Sequence, residues 1–150
     1  MFAGALLRNT DQGHHGHLTA LDINRDAGAL IGGGYASVID LRYGDSIGLL
    51  AASASPVDLF LHDSDHHYDH ESAEYRAVAG CLTESALVMT DSGGLALSDF
   101  AKSSGRWFLM FREDPDDHWA LGGVIGVAMH VGDVMVDEET HDRLASEVAE

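Results

Sequence analysis

From His62 to His70 the chain reads HDSDHHYDH, directly after the apolar run VDLFL. Imidazoles and carboxylates at this density offer two kinds of chemistry, metal ligation and proton transfer. The metal reading takes His62, Asp65, His66 and His67 as a zinc run of the His-x-His-x-Asp-His type, which serves hydrolysis. Ser64 sits where the second histidine of such a run belongs, and no convincing further histidine ligand follows a strand. Zinc needs three firm protein ligands. A metal-dependent hydrolase using the cluster 62–70 therefore stands as an alternative to a group-transfer enzyme. His67 and His70 read as solvated residues at a helix start, and HHGH (His14 to His17) reads as loop.

The elements that must position this cluster alternate between strand and helix. HLTALD (His17 to Asp22) predicts a first strand, AGALIGGGY a brief helix closed by glycines, and ASVIDLRYGD a second strand. SIGLLAASAS predicts a helix stopped by Pro56, and VDLFLHD the third strand. HESAEYRAVAGCL predicts a helix with Ala73, Ala77, Val78 and Cys81 near one face. SALVMTD is a fourth strand and LALSDFAKSS a further helix. RWFLMF, read as a core strand, and VIGVAMHV follow as late strands joined by REDPDDHWALGG. Trp119 in that loop either caps a site or packs. Nearly continuous apolar strands between helices imply an α/β sheet covered on both faces. IGGGY does not have the G-x-G-x-x-G spacing of a dinucleotide fingerprint.

Four strands run into acids: Asp22, Asp45, Asp63 and Asp91. Ligands of open α/β sheets bind outside the carboxyl ends of the strands, so parallel strands would gather these carboxylates along one rim. Acids are also common helix N-caps, which is the plainer account of any single one.

At 150 residues the chain suits one domain, read as 1–150, with 137–150 an acidic terminal segment. The formal net charge is -17 and Lys102 is the only lysine, so neither nucleic acid nor a membrane surface is an expected partner. An Asp-rich, Lys-poor surface suits a high-salt cytoplasm, and a GC-rich genome gives a similar bias. Cys81 is the single cysteine, which excludes an intramolecular disulfide and makes a reducing cytoplasm the expected location. Met1 to Leu7 is apolar but lacks a basic leader and is too short to span a bilayer.

The succession ALDINRDAG, YGDS, DLFLHDSDHHYDHESAEYRA, VMTDSGG and GRWFLMFREDPDDHWALGGVIGVA resembles, over residues 17–130 and in order, the class I S-adenosylmethionine-dependent methyltransferases. The resemblance implies a Rossmann-like sheet with helices on both faces and methyl transfer to a hydroxyl of a small molecule. It assigns Asp22 to the ribose hydroxyls of the cofactor, because a carboxylate can accept both hydrogen bonds of a vicinal diol. It puts Asp45 and Ser46 near the adenine and Asp63 between methionine moiety and substrate. His66, with Asp65 beside it, takes the catalytic position as general base. In metal-assisted relatives, an Asp after one strand and an Asp-Asn pair after the next hold Mg2+. Asp63 and Asp91 match two of those positions, and Ser92 stands where the asparagine would be.

The family begins with a strand and a glycine-rich turn, whereas this chain opens at MFAGALLRN, which resembles the helix after that turn. The expectation is thus an N-terminally incomplete domain lacking the usual first strand. Its exposed strand edges would favour a homo-oligomer. A non-catalytic fragment that pairs through such an edge is the third reading.

Overall fold

A computed structural model describes residues 2–113 and 122–130. The chain divides into two compact units, Met1–Ala54 and Ser55–Glu150.

In the first unit, α1 (Phe2–Asp11) precedes a parallel pair, β1 (Leu18–Asp22) and β2 (Ile39–Tyr43). The two strands run in register from Leu18 opposite Ile39 to Asp22 opposite Tyr43. Parallel neighbours need a connection of a dozen residues or more. Here residues 23–38 supply it as successive turns and a short 3-10 helix, Gly33–Ser37. The brief α-helix expected over AGALIGGGY does not form. Its glycines favour turns over helix, and Gly28, at φ +84, adopts a conformation that side chains resist. A Cβ there would also lie 2.2 Å from Leu41 Cδ2, so the turn packs tightly on β2. After β2, α2 (Ser46–Ala51) starts on Asp45 and ends before Pro56. Ala3, Val38 and Leu50 are the buried apolar residues of this unit.

The described residues of the second unit form a four-stranded sheet in the order β3-β4-β6-β5. β3 (Val57–His62) and β4 (Leu82–Thr90) are parallel, with a register irregularity between Val57 and Leu59. β6 (Val124–Met129) runs antiparallel to both β4 and β5 (Trp107–Arg112). α3 (Tyr68–Val78) connects β3 to β4, and α4 (Leu95–Ser104) connects β4 to β5. α4 stops at Gly105, whose φ of +69 lets its amide reach the carbonyls of Ala101 and Lys102. Tyr75, Val88, Ala96, Leu97, Ala101 and Ala128 form the core, with Phe60, Leu82, Phe100 and Phe108 packed around them. Full burial of one such side chain, Leu97, contributes about 2–3 kcal/mol.

Two expectations change here. RWFLMF is an edge strand whose Trp107, Met110 and Phe111 are exposed, so its apolar run overstates its burial. The buried face of α3 carries Glu71, Glu74, Tyr75 and Val78, whereas Ala73 and Ala77 are only half-buried. Trp119 and the acidic segment 137–150 lie outside the described residues. No described helix is long and apolar enough to cross a membrane.

Candidate active site

The carboxyl ends of the parallel strands β3 and β4 lie side by side, with His62 opposite Thr90. The segments that leave them bring Asp63, His66 and Asp91 together, with one donor atom from each within 4.8 Å of the others. All three side chains are exposed. His66 Nε2 stands 3.2 Å from Asp91 Oδ1, close enough for the carboxylate to fix the ring. With the proton on Nε2 as that pairing favours, Nδ1 carries the lone pair.

Asp65 is not part of this group. Its Oδ1 accepts the backbone amide of His67 at 3.0 Å and also pairs with the His67 ring at the start of α3. That ring holds Asp65 below the usual carboxylate range, and the carboxylate raises His67 in turn. His67 is exposed, as expected. His70 is instead half-buried, with Nε2 3.2 Å from Glu74 Oε1.

Beneath the rim lies a buried polar network on α3. Glu74 accepts from Ser64 Oγ at 2.9 Å and lies 2.6 Å from His62 Nδ1. Glu71 accepts from Ser92 Oγ at 2.9 Å and from the Tyr75 hydroxyl at 2.5 Å. Thr90 and Ser92 share a hydroxyl hydrogen bond of 2.6 Å. His62, Glu71, Glu74 and Thr90 are each at most 3 % exposed, so these groups have traded water for one another. Burial works against a charge on His62. The hydrogen bond to Glu74 and the carboxylates of Glu71, Glu74 and Asp91 outweigh it, and the imidazole is held above its ordinary range. Burial, reinforced by Glu71, pushes the Tyr75 phenol strongly up. His62 Nε2 is buried without a hydrogen-bond partner among the described residues.

The network was missed in the sequence, although it left a signal. Positions 71, 74, 75 and 78 follow the spacing of one helix face, and that face holds Glu, Glu, Tyr and Val. Glutamates at two core-facing positions of a helix announce buried partners.

Asp22, Asp45 and Ser46 belong to the first unit. Asp22 ends β1 and its Oδ1 accepts the Asn24 amide at 2.8 Å. Asp45 is the N-cap of α2, accepting the Gly48 amide at 2.8 Å, and Ser46 is the first helical residue. The plainer reading of a strand-end acid thus describes the local bonding of Asp45.

Residues 1–92 match a family model described as a methyltransferase domain. The chain belongs to that family, within the class I S-adenosylmethionine-dependent methyltransferases. No curated protein matches the sequence. Among solved structures, the chain is similar to precorrin 8W decarboxylase from Methanobacterium thermoautotrophicum: 12 % identity, TM-score 0.58, covering 79 % of this chain and 72 % of that one. It is also similar to an O-methyltransferase from Bacillus cereus in complex with SAH: 13 % identity, TM-score 0.55, 79 % and 66 % covered. The O-methyltransferase TomG from Streptomyces achromogenes, involved in tomaymycin synthesis and solved with SAM, gives 15 % identity, TM-score 0.54, and 77 % and 62 % covered. The chain therefore spans under two thirds of the length of those two O-methyltransferases. At such identities the likeness shows the fold, a Rossmann-like methyltransferase sheet flanked by helices.

Proposed function

We propose that the chain transfers a methyl group from S-adenosylmethionine to a hydroxyl of a small molecule, with His66 as general base. The observation that carries this reading is the His66–Asp91 pair beside Asp63 at the carboxyl ends of β3 and β4. As the acceptor oxygen attacks the methyl carbon, the carbon–sulfur bond breaks and the sulfonium becomes a neutral thioether. The hydroxyl proton passes to Nδ1 of His66. Asp91 then faces an imidazolium through Nε2 and stabilises it. Asp63 adds a second carboxylate next to that charge, and Asp65 acts one step back by holding the start of α3 through His67.

Asp22 is assigned to the cofactor's ribose diol, and Asp45 and Ser46 to its adenine. Family membership and the position of these residues at strand ends support those assignments.

The rim's donor set also fits a divalent ion. Ser92, in the place of the family's asparagine, points inward to Glu71 and Thr90, which leaves Asp63, Asp91 and His66 as the assembled donors. Two carboxylates and an imidazole suit Mn2+ or Zn2+ better than the Mg2+ expected from the sequence, which prefers oxygen ligands. With such an ion bound, His66 would serve as a ligand and not as the base, and the ion would supply Lewis acidity toward the acceptor oxygen in its place.

The test is methyl transfer from labelled S-adenosylmethionine to a panel of phenols and alcohols by the parent and His66→Gln. The variant should lose about 10²–10⁴-fold in turnover, with cofactor affinity by calorimetry unchanged. Loss of both together would make His66 structural, and unaltered turnover would remove it from the mechanism.

A further inference from the structure

Both segments that form the rim are tied to the same helix, each by its own carboxylate. Glu74 accepts from Ser64, the residue after Asp63, and pairs with His62, the residue before it. Glu71 accepts from Ser92, the residue after Asp91, and Ser92 also bonds to Thr90 on the other side. Each rim aspartate is thus flanked by anchored neighbours although its own side chain is exposed. Burying two carboxylates three positions apart on one helix face costs free energy that apolar residues there would not. Packing alone gives no reason for that choice.

We propose that Glu71 and Glu74 are positioning residues with separate duties: Glu74 sets the segment carrying Asp63 and His66, and Glu71 sets the segment carrying Asp91. This rests on the methyl-transfer reading of the rim, since it is the distance between those segments that the two carboxylates control. Neither glutamate touches substrate. Each acts by leaving its serine a single favourable orientation and so restricting the backbone beside it.

Amide hydrogen exchange on the ligand-free chain tests the division of labour, because it needs no cofactor, metal or acceptor. Glu71→Gln and Ser92→Ala should each speed exchange across residues 91–94 by about tenfold or more and leave 63–66 within about twofold. Glu74→Gln and Ser64→Ala should do the reverse. The double variant E71Q/S92A should exchange no faster than either single one, since both remove one link. Ser92→Thr keeps the hydroxyl and should behave as the parent. Should a glutamate variant fail to fold, the serine variants, whose side chains are not fully buried, decide the matter. Mn2+ titration followed by electron paramagnetic resonance adds a second readout, with a loss of about 10–100-fold in affinity expected for Glu71→Gln, Ser92→Ala, Glu74→Gln and Ser64→Ala and none for Ser92→Thr. A parent chain that binds no Mn2+ would count against the metal at the rim, while the exchange pattern still decides this proposal. Uniform acceleration in both segments and in β4 would overturn it and reduce the network to a stabilising one, as would exchange unchanged in all four variants.

Discussion

The first unit and the second both end parallel strands in acids, yet they hold those acids differently. Asp22 and Asp45 bind backbone amides two and three residues away, on exposed chain. Around Asp63 and Asp91 the bonds span 10 to 21 residues and run to buried carboxylates. A local cap needs only its own turn, so it can form wherever a helix starts. The long-range links need β3, β4 and α3 to be assembled at once. Strand ends alike in sequence thus differ in support, one kind held by its own turn and the other by buried carboxylates of a separate element.

Glu74→Ala should break this contrast most severely. It strands the buried His62 without its Nδ1 partner and should cost about 3–5 kcal/mol of stability, the range for removing one member of a buried pair. Denaturant unfolding of parent and variant measures it. A loss below about 1 kcal/mol would place Glu74 no higher than a surface cap. Asp22→Ala sharpens the other side. Its stability should hardly move, whereas S-adenosylmethionine binding by calorimetry should weaken by about 1.5–3 kcal/mol, as for a hydrogen bond to a charged group. Equal affinity in parent and variant would reduce Asp22 to its turn. The smallest effect is expected at Asp45→Ala, about 1 kcal/mol of stability from the lost N-cap of α2. Melting curves would show it, and a drop as large as that of Glu74→Ala would erase the difference between the units.

Much of this architecture was legible in the residues. LALSDFAKSS coincides with α4, bounded by glycines on both sides, and VDLFLH with β3, because a capped periodic run and a continuous apolar run each admit few alternatives. The parallel arrangement of β3 and β4 followed from the helix between them. AGALIGGGY misled because an apolar run says nothing of the backbone freedom of four glycines among nine residues. RWFLMF misled because apolarity does not tell an edge from a centre. The grouping of Asp63 and Asp91 at adjacent strand ends, with His66 beside them, follows from the order of strands. Glu71 and Glu74 left only their helix-face spacing as a signal, since no local pattern joins them to their partners Ser92 and Ser64.

The two duties of α3 also differ in the chain entropy they cost. Glu74 lies 10 and 12 residues from its partners on the β3 side, whereas 21 separate Glu71 from Ser92. Closing a longer loop costs more chain entropy, about 0.6 kcal/mol for each doubling. The Glu71–Ser92 link therefore costs about 0.6 kcal/mol more to close than the Glu74–Ser64 link, a factor of about three between the two halves of the rim.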